Sequence, residues 1–167
     1  VVCLCYNHAN YLREAVESVL NQTYKNIQII IVDDASTDGS VIEIERLVKH
    51  YPSIELLLLK QNVGNCKAFN SALGLIKGDF VIDFATDDVL LPNRIESGVN
   101  EFARYDFTYG VNFADGELID ASGKHLGYHS DRFPSSEIPQ GEIYEYVISR
   151  YFINSPSLMS RKSVFEE

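Results

Sequence analysis

The sequence predicts an α/β fold, a three-layer α/β/α sandwich built around a mostly parallel sheet. Three observations carry this. Strand-like apolar runs alternate with helix-period patterns at short spacing through the first two-thirds of the chain. The run Ile27–Val32 is nearly unbroken and β-branched, the mark of a strand covered on both faces. Each strand-like run then ends in polar or acidic residues, and two of them end in paired aspartates, Asp33-Asp34 and Asp87-Asp88.

The elements follow in order. Val1–Cys5 reads as the first strand. A helix with Leu12, Ala15, Val16, Val19 and Leu20 on one face comes next, with Asn10 placed to cap it and Asn21-Gln22-Thr23 past its end. After Ile27–Val32, the oxygens of Ser36, Thr37 and Asp38 precede a helix that turns Val41, Ile44, Leu47 and Val48 inward. Ile54–Leu59 is the third strand. Phe69, Ala72, Leu73 and Ile76 mark a third helix, stopped by Gly78. Phe80–Phe84 is the fourth strand, and Pro92 suits the first turn of a helix with Ile95, Val99 and Phe102 inward. Beyond Glu101 the alternation lapses. Phe107–Phe113 reads as a strand, and Glu117–Ile119 and His125–Tyr128 form a hairpin around Asp120-Ala121-Ser122-Gly123. Ser130–Gln140 reads as a surface loop with two prolines, Ile143, Tyr144, Val147 and Ile148 as a short helix, and Ser157–Ser160 as a late strand.

Parallel strands joined by crossover helices all end on one edge of their sheet, where open α/β sheets bind ligands. Tyr6-Asn7, Asp33-Asp34, Gln61-Asn62 and Asp87-Asp88 should therefore gather there. The 167 residues suit one domain, 1–167. An apolar share of 46% and a charged share of 23% are those of an ordinary globular protein. No apolar run is long enough to cross a bilayer. Net charge is −10, from 24 acids against 14 Lys and Arg, which argues against a nucleic-acid partner. Three cysteines without a disulfide-type pattern favour a reducing, cytoplasmic setting. The chain opens inside a strand and stops at Glu167 without a natural close, so it reads as truncated at both ends. Any targeting segment or membrane anchor would then lie outside it, leaving room for peripheral association with the cytoplasmic face of a membrane.

Asp87 and Asp88 end a buried strand, and packed carboxylates repel one another and resist leaving water unless a cation neutralises them. Hard divalent cations such as Mg²⁺ or Mn²⁺ take one or two carboxylates plus substrate phosphates. By itself the pair also fits a helix cap beside a solvated acid; its recurrence at strand ends favours the cation. One carboxylate of Asp33-Asp34 suits hydrogen bonding to a base or ribose, the other reading being a turn cap. Tyr6 offers a ring to stack on a base or simply to pack. Cys3 and Cys5 face one side of a strand as buried thiols, since the spacing with His8 and Cys66 matches no tetrahedral zinc site. Lys67 suits a phosphate contact or a solvated helix turn. Asn62-Val63-Gly64-Asn65 reads as a tight turn, and the four histidines show no nucleophilic triad.

The stretches Val2-Cys3-Leu4-Cys5-Tyr6-Asn7, Ser18-Val19-Leu20-Asn21-Gln22-Thr23-Tyr24 and Val32-Asp33-Asp34-Ala35-Ser36-Thr37-Asp38 resemble the opening of family 2 glycosyltransferases. The resemblance continues through Asn62-Val63-Gly64, Ala68-Phe69-Asn70, Gly78-Asp79-Phe80 and Ala85-Thr86-Asp87-Asp88 to Pro92, close over roughly the first hundred residues and loose thereafter. It implies a GT-A, Rossmann-like fold, with 1–105 as the nucleotide-sugar half and 106–167 as the start of the acceptor half. It also implies a nucleotide-diphospho-sugar donor, Mn²⁺ or Mg²⁺, and inverting transfer to a saccharide or lipid-linked acceptor hydroxyl in polysaccharide or glycoconjugate synthesis. The donor would then contact Cys5, Tyr6, Asp33, Asp34, Lys67 and Asp87, with the metal on Asp87 and Asp88. Two departures stand out. Ala85 replaces a usual aspartate of the metal motif, and Phe69 replaces a common arginine. The family's general base lies beyond the segment resembling Ser160–Phe165, hence beyond Glu167, which implies that this stretch alone binds donor and metal weakly and transfers sugar poorly. Competing readings are a non-catalytic module of the same fold, a receiver-type signalling domain and a nucleotidyltransferase. The Tyr6-Asn7-His8-Ala9-Asn10 loop counts against the last two, because it lacks the receiver's acid pair and the nucleotidyltransferase's basic, glycine-rich turn.

Overall fold

In a computed structural model, residues 1–132, 141–149 and 152–166 are described. A six-stranded sheet has the order β3-β2-β1-β4-β8-β5, and β6 and β7 form a separate two-stranded ribbon. The central strands are β1 (Val2–Cys5), β2 (Ile30–Asp33), β3 (Glu55–Leu58) and β4 (Phe80–Ala85). β1 pairs in parallel with β2 on one side and β4 on the other, and β2 pairs in parallel with β3. The two outer strands, β8 (Met159–Arg161) and β5 (Val111–Asn112), run antiparallel, with β8 directly against β4. The stretch beyond 105 therefore completes the same sheet as the first.

Alternation along the strands builds two cores. Cys3, Cys5, Ile31, Ile82 and Phe84 face α1 (Leu12–Leu20), α2 (Ser40–His50) and α4 (Arg94–Phe102), which contribute Leu12, Val16, Val19, Ile44, Leu47, Ile95 and Phe102. Val2, Leu4, Ile30, Val32 and Val81 face α3 (Asn65–Ala72) through Ala68, Phe69 and Ala72. That is the three-layer arrangement the sequence predicts, and the order of the inward helix positions is as expected from period 3.6.

The differences are local. α1 is capped by no side chain; Asn10 is exposed, and the amides of Tyr11 and Leu12 both donate to the His8 carbonyl instead. β2 begins at Ile30 rather than Ile27. The third helix ends at Ala72 and passes into a 3₁₀ turn, Leu73–Leu75. Pro92 lies two residues before α4, where its carbonyl accepts the Thr23 amide. Phe107–Phe113 is not a continuous strand: only Val111–Asn112 pairs, and Phe107 is 85% exposed. The hairpin forms as β6 (Glu117–Ile119) and β7 (His125–Tyr128). The late strand is preceded by a 3₁₀ turn at Ser155–Ser157, and α5 spans Tyr144–Ser149. Most of the proline-bearing loop, 133–140, and the side chains of Tyr144 and Ile148 lie outside the described residues.

Candidate functional site

The C-terminal ends of β2, β1 and β4 lie side by side, so the two aspartate pairs flank the end of β1. Register fixes this: Cys5 pairs with Asp33, and Leu4 pairs with Ala85. The Asp34 amide donates to the Cys5 carbonyl at 2.9 Å, and the Thr86 amide to the Leu4 carbonyl at 3.0 Å. Tyr6 to Ala9 then cross the edge between the two pairs.

That crossing loop is held along its length. The Asn7 amide donates to Ser36 Oγ (2.9 Å), the His8 amide to Ser40 Oγ (3.0 Å) and the Ala9 amide to Asp38 Oδ2 (3.1 Å). Asn7 Oδ1 accepts the Thr37 amide at 2.8 Å in return. Asp38 Oδ1 also accepts the Ser40 amide, which closes the turn into α2. The Ser36-Thr37-Asp38 oxygens thus serve both the crossing loop and the helix start. Asn7 and Ala35 carry positive φ angles, 61° and 59°, in the left-handed region. Asn tolerates that region, whereas alanine is strained there, and such strain gathers at ligand sites.

The aspartates of the first pair differ in what they do. Asp34 accepts the Val63 and Gly64 amides, both at 2.8 Å, and so fixes the loop that opens α3 at Gly64, where φ is +85°. Asp33 Oδ2 accepts the Ser36 amide at 2.8 Å. Its Oδ1 is buried and, among the described residues, has no hydrogen-bond partner. A buried carboxylate oxygen without a donor is costly, and Asp33 is the last residue of β2, at that edge.

The second pair is partly desolvated. Burial and the neighbouring Asp87 charge push the Asp88 carboxyl up to about 6, and His8 opposes the rise. Asp87 is exposed, and His8 Nε2 stands 3.7 Å from its Oδ2. The other ring nitrogen, Nδ1, is 3.0 Å from the buried Thr86 hydroxyl. Two adjacent carboxylates, one of them resisting ionisation, fit a divalent cation, which would return both to their charged forms. Among the described residues no group of three His, Cys, Asp or Glu is arranged to hold a metal. Phosphate oxygens and water would have to complete such a shell.

The other expected residues are placed as follows. Tyr6 is 44% exposed at the edge. Lys67 is exposed in the first turn of α3. Phe69 is buried and packs on Phe165 at 5.3 Å, so it has a structural place where a cation was missed. The Cys5 side chain is buried in the core, and Ser36 Oγ stands 3.9 Å from its thiol. Burial raises the Cys3 thiol to about 12, as expected of an unreactive thiol. Two residues escape sequence reasoning. His8 sits in a loop, and only the β1–β4 pairing brings it to Asp87. Gln22 is fully buried: its Nε2 donates to the carbonyls of Ser18 (3.1 Å) and Leu91 (2.8 Å), and its Oε1 accepts the Ile95 amide (3.0 Å). It locks the segment following Asp87-Asp88 onto the end of α1. A polar residue directly after an amphipathic helix is the signal that was available.

The family model for glycosyl transferase family 2 matches residues 1–166. The chain belongs to this family. An uncharacterized glycosyltransferase of Rickettsia felis is 32% identical over 169 aligned positions, covering 100% of this chain and 27% of that protein. A Haemophilus influenzae glycosyltransferase is likewise 32% identical, over 100% of this chain and 52% of its own length. The chain therefore spans about a quarter to a half of these relatives. Pasteurella multocida chondroitin synthase is 30% identical over 80% of the chain and 14% of its own length. Among solved structures, S. aureus TarS in complex with UDP superposes with a TM-score of 0.71 at 19% identity, over 99% of this chain and 47% of that one, a likeness of fold. The Pyrobaculum calidifontis mannosyltransferase PcManGT in complex with GDP-Man and Mn²⁺ is 26% identical with a TM-score of 0.59, over 66% of this chain and 33% of its own. Family 2 membership and this glycosyltransferase fold exclude the receiver-type and nucleotidyltransferase readings.

Proposed function

We propose that this chain binds a nucleotide-diphospho-sugar together with Mn²⁺ or Mg²⁺ at the β2–β1–β4 edge, as the donor half of an inverting sugar transferase. The observation that carries the reading is the meeting of three features on one edge: an exposed ring at Tyr6, a buried unpartnered oxygen at Asp33 and the paired carboxylates Asp87 and Asp88. Tyr6 would stack on the base, and Asp33 Oδ1 would accept a hydrogen from base or ribose. Asp34 already has both oxygens on the Val63 and Gly64 amides, so it shapes the pocket wall more than it contacts the donor. Lys67, exposed in the first turn of α3, would face the diphosphate. Asp87 and Asp88 would hold the cation, which when bound supplies positive charge against the leaving diphosphate.

In the transfer itself, an acceptor hydroxyl oxygen forms a bond to the anomeric carbon. The bond from that carbon to the phosphate oxygen breaks, and the nucleoside diphosphate leaves with the electron pair. The hydroxyl proton passes to a carboxylate base. The acceptor is a saccharide or a lipid-linked saccharide, and the setting is cytoplasmic, consistent with three free cysteines. The PcManGT complex with GDP-Man and Mn²⁺ supports the donor class and the metal.

Thermal-shift measurements with UDP, GDP and their sugars, each with and without MnCl₂, test the reading. A metal-dependent rise in Tm for one nucleoside class is expected, and Tyr6→Ala should weaken that binding roughly tenfold without lowering the Tm of the free protein. No shift with any nucleotide in either condition would refute it.

A further inference from the structure

The expected metal ligands are all oxygens, yet the imidazole of His8, from the crossing loop, stands 3.7 Å from Asp87. Two hydrogen bonds hold it. The His8 amide is tied to Ser40 Oγ, the ring Nδ1 lies 3.0 Å from Thr86 Oγ1, and Thr86 is fully buried. The Thr86 hydroxyl donates its single proton to the Leu4 carbonyl at 3.1 Å, so it meets the ring as an acceptor. Nδ1 then carries a hydrogen, and Nε2 is the ring nitrogen left to meet Asp87. That nitrogen points at Asp87 Oδ2, 3.7 Å away. The gap between the two atoms is one that either a proton on the ring or a divalent cation can bridge. A histidine whose far nitrogen donates to a buried acceptor is the usual setting of a metal-ligating imidazole, because the donated bond fixes the tautomer and the ring plane.

We propose that His8 is a nitrogen ligand of the divalent cation, paired with Asp87, and that it makes this site prefer a manganese-class ion to magnesium. The proposal rests on the donor-and-metal reading above and sets a ligand from the crossing loop beside Asp87, a two-residue set that phosphate oxygens and water would complete. Imidazole suits transition ions, whereas magnesium keeps an all-oxygen shell. The placement also couples metal to nucleotide: His8 is two residues from Tyr6, on a loop bonded to the β2–α2 turn, so the base platform and the metal ligand move as one piece.

The test uses Mn²⁺ with inorganic pyrophosphate, which contains no nitrogen, on the chain labelled with ¹⁵N-histidine. Pulsed electron paramagnetic resonance of the bound Mn²⁺ should show a directly coordinated histidine nitrogen, with the ¹⁵N signature replacing that of ¹⁴N. His8→Asn should abolish that coupling while Mn²⁺ stays bound, and should reduce the Mn²⁺-over-Mg²⁺ affinity ratio about tenfold. The other histidines remain labelled in that variant and serve as the control. Bound Mn²⁺ without histidine coupling would overturn the role of His8 and leave the glycosyltransferase reading standing. Failure to bind Mn²⁺ even with pyrophosphate or nucleotide would overturn both. Persistence of the coupling in His8→Asn would assign it to another histidine and refute the proposal.

Discussion

The two stretches of the chain that share the sheet are held by different forces. Residues up to Phe102 form a parallel sheet between helices, with both apolar cores filled by β-branched and aliphatic side chains. Beyond Phe102 the larger core gains Met159 alone among the described residues. Phe165 packs on Phe69, and much of the remaining attachment is polar. Arg94, buried in α4, donates through Nε to the Ser157 carbonyl (2.9 Å) and through Nη2 to Asn112 Oδ1 (2.7 Å). Arg161 lies 4.6 Å over the Phe102 ring and donates through Nε to the Tyr109 carbonyl. Apolar burial is non-directional and tolerant, while a guanidinium shared among carbonyls is directional and fails when one partner goes. The proposed donor edge thus lies on the stretch with filled apolar cores, while the outer strands lean heavily on two arginines.

The contrast breaks most strongly at Gln22, a fully buried side chain of the first stretch that is held by polar bonds. Gln22→Ala strands the Ile95 amide and the Leu91 carbonyl and should cost about 3 kcal/mol of global stability by chemical denaturation. Because it anchors the segment after Asp87-Asp88, Mn²⁺ binding should weaken along with it. Arg94→Met should cost about 2 kcal/mol and act regionally. Hydrogen exchange should rise at Val111–Asn112 and Met159–Arg161 and stay slow at Ile30–Asp33. A uniform rise in exchange would mean that the two stretches unfold as one.

The smallest effect concerns Asp83, a half-buried acid inside β4 whose carboxyl burial pushes up to about 6. An acid with a raised folded-state value binds its proton more tightly folded than unfolded. The native state then loses stability as pH climbs from about 4 to about 6, and the penalty stays in full above that. Asp83→Asn should therefore stabilise the protein by about 1 kcal/mol at pH 7.5 and leave it unchanged near pH 4, read from Tm at the two values.

How much of this was legible in the sequence follows the same division. The parallel strands and their inward helix positions were readable because burial on a regular element leaves a period. The meeting of Asp33-Asp34 with Asp87-Asp88 followed from topology alone. Phe107–Phe113 was misread because a run of aromatic residues looks like a strand whether or not a partner pairs with it; here Arg161 takes the Tyr109 carbonyl from one side and only two residues pair. Cys5 illustrates another limit. A residue at a strand's end belongs to the site or to the core according to which face it takes, and Cys5 shares the buried face of Cys3. His8 and Gln22 could not be weighted from sequence, because their partners lie 78 and 73 residues away.

The most direct test of the central claim is a chemical-shift map of the ¹⁵N-labelled chain on adding UDP or GDP with MgCl₂. The account predicts that the largest perturbations fall on Tyr6, the Asp33–Ser36 turn, the Val63–Gly64 amides and Thr86–Asp88, and that they shrink when the metal is chelated. Perturbations confined to residues beyond Phe102, or unchanged by chelation, would contradict it.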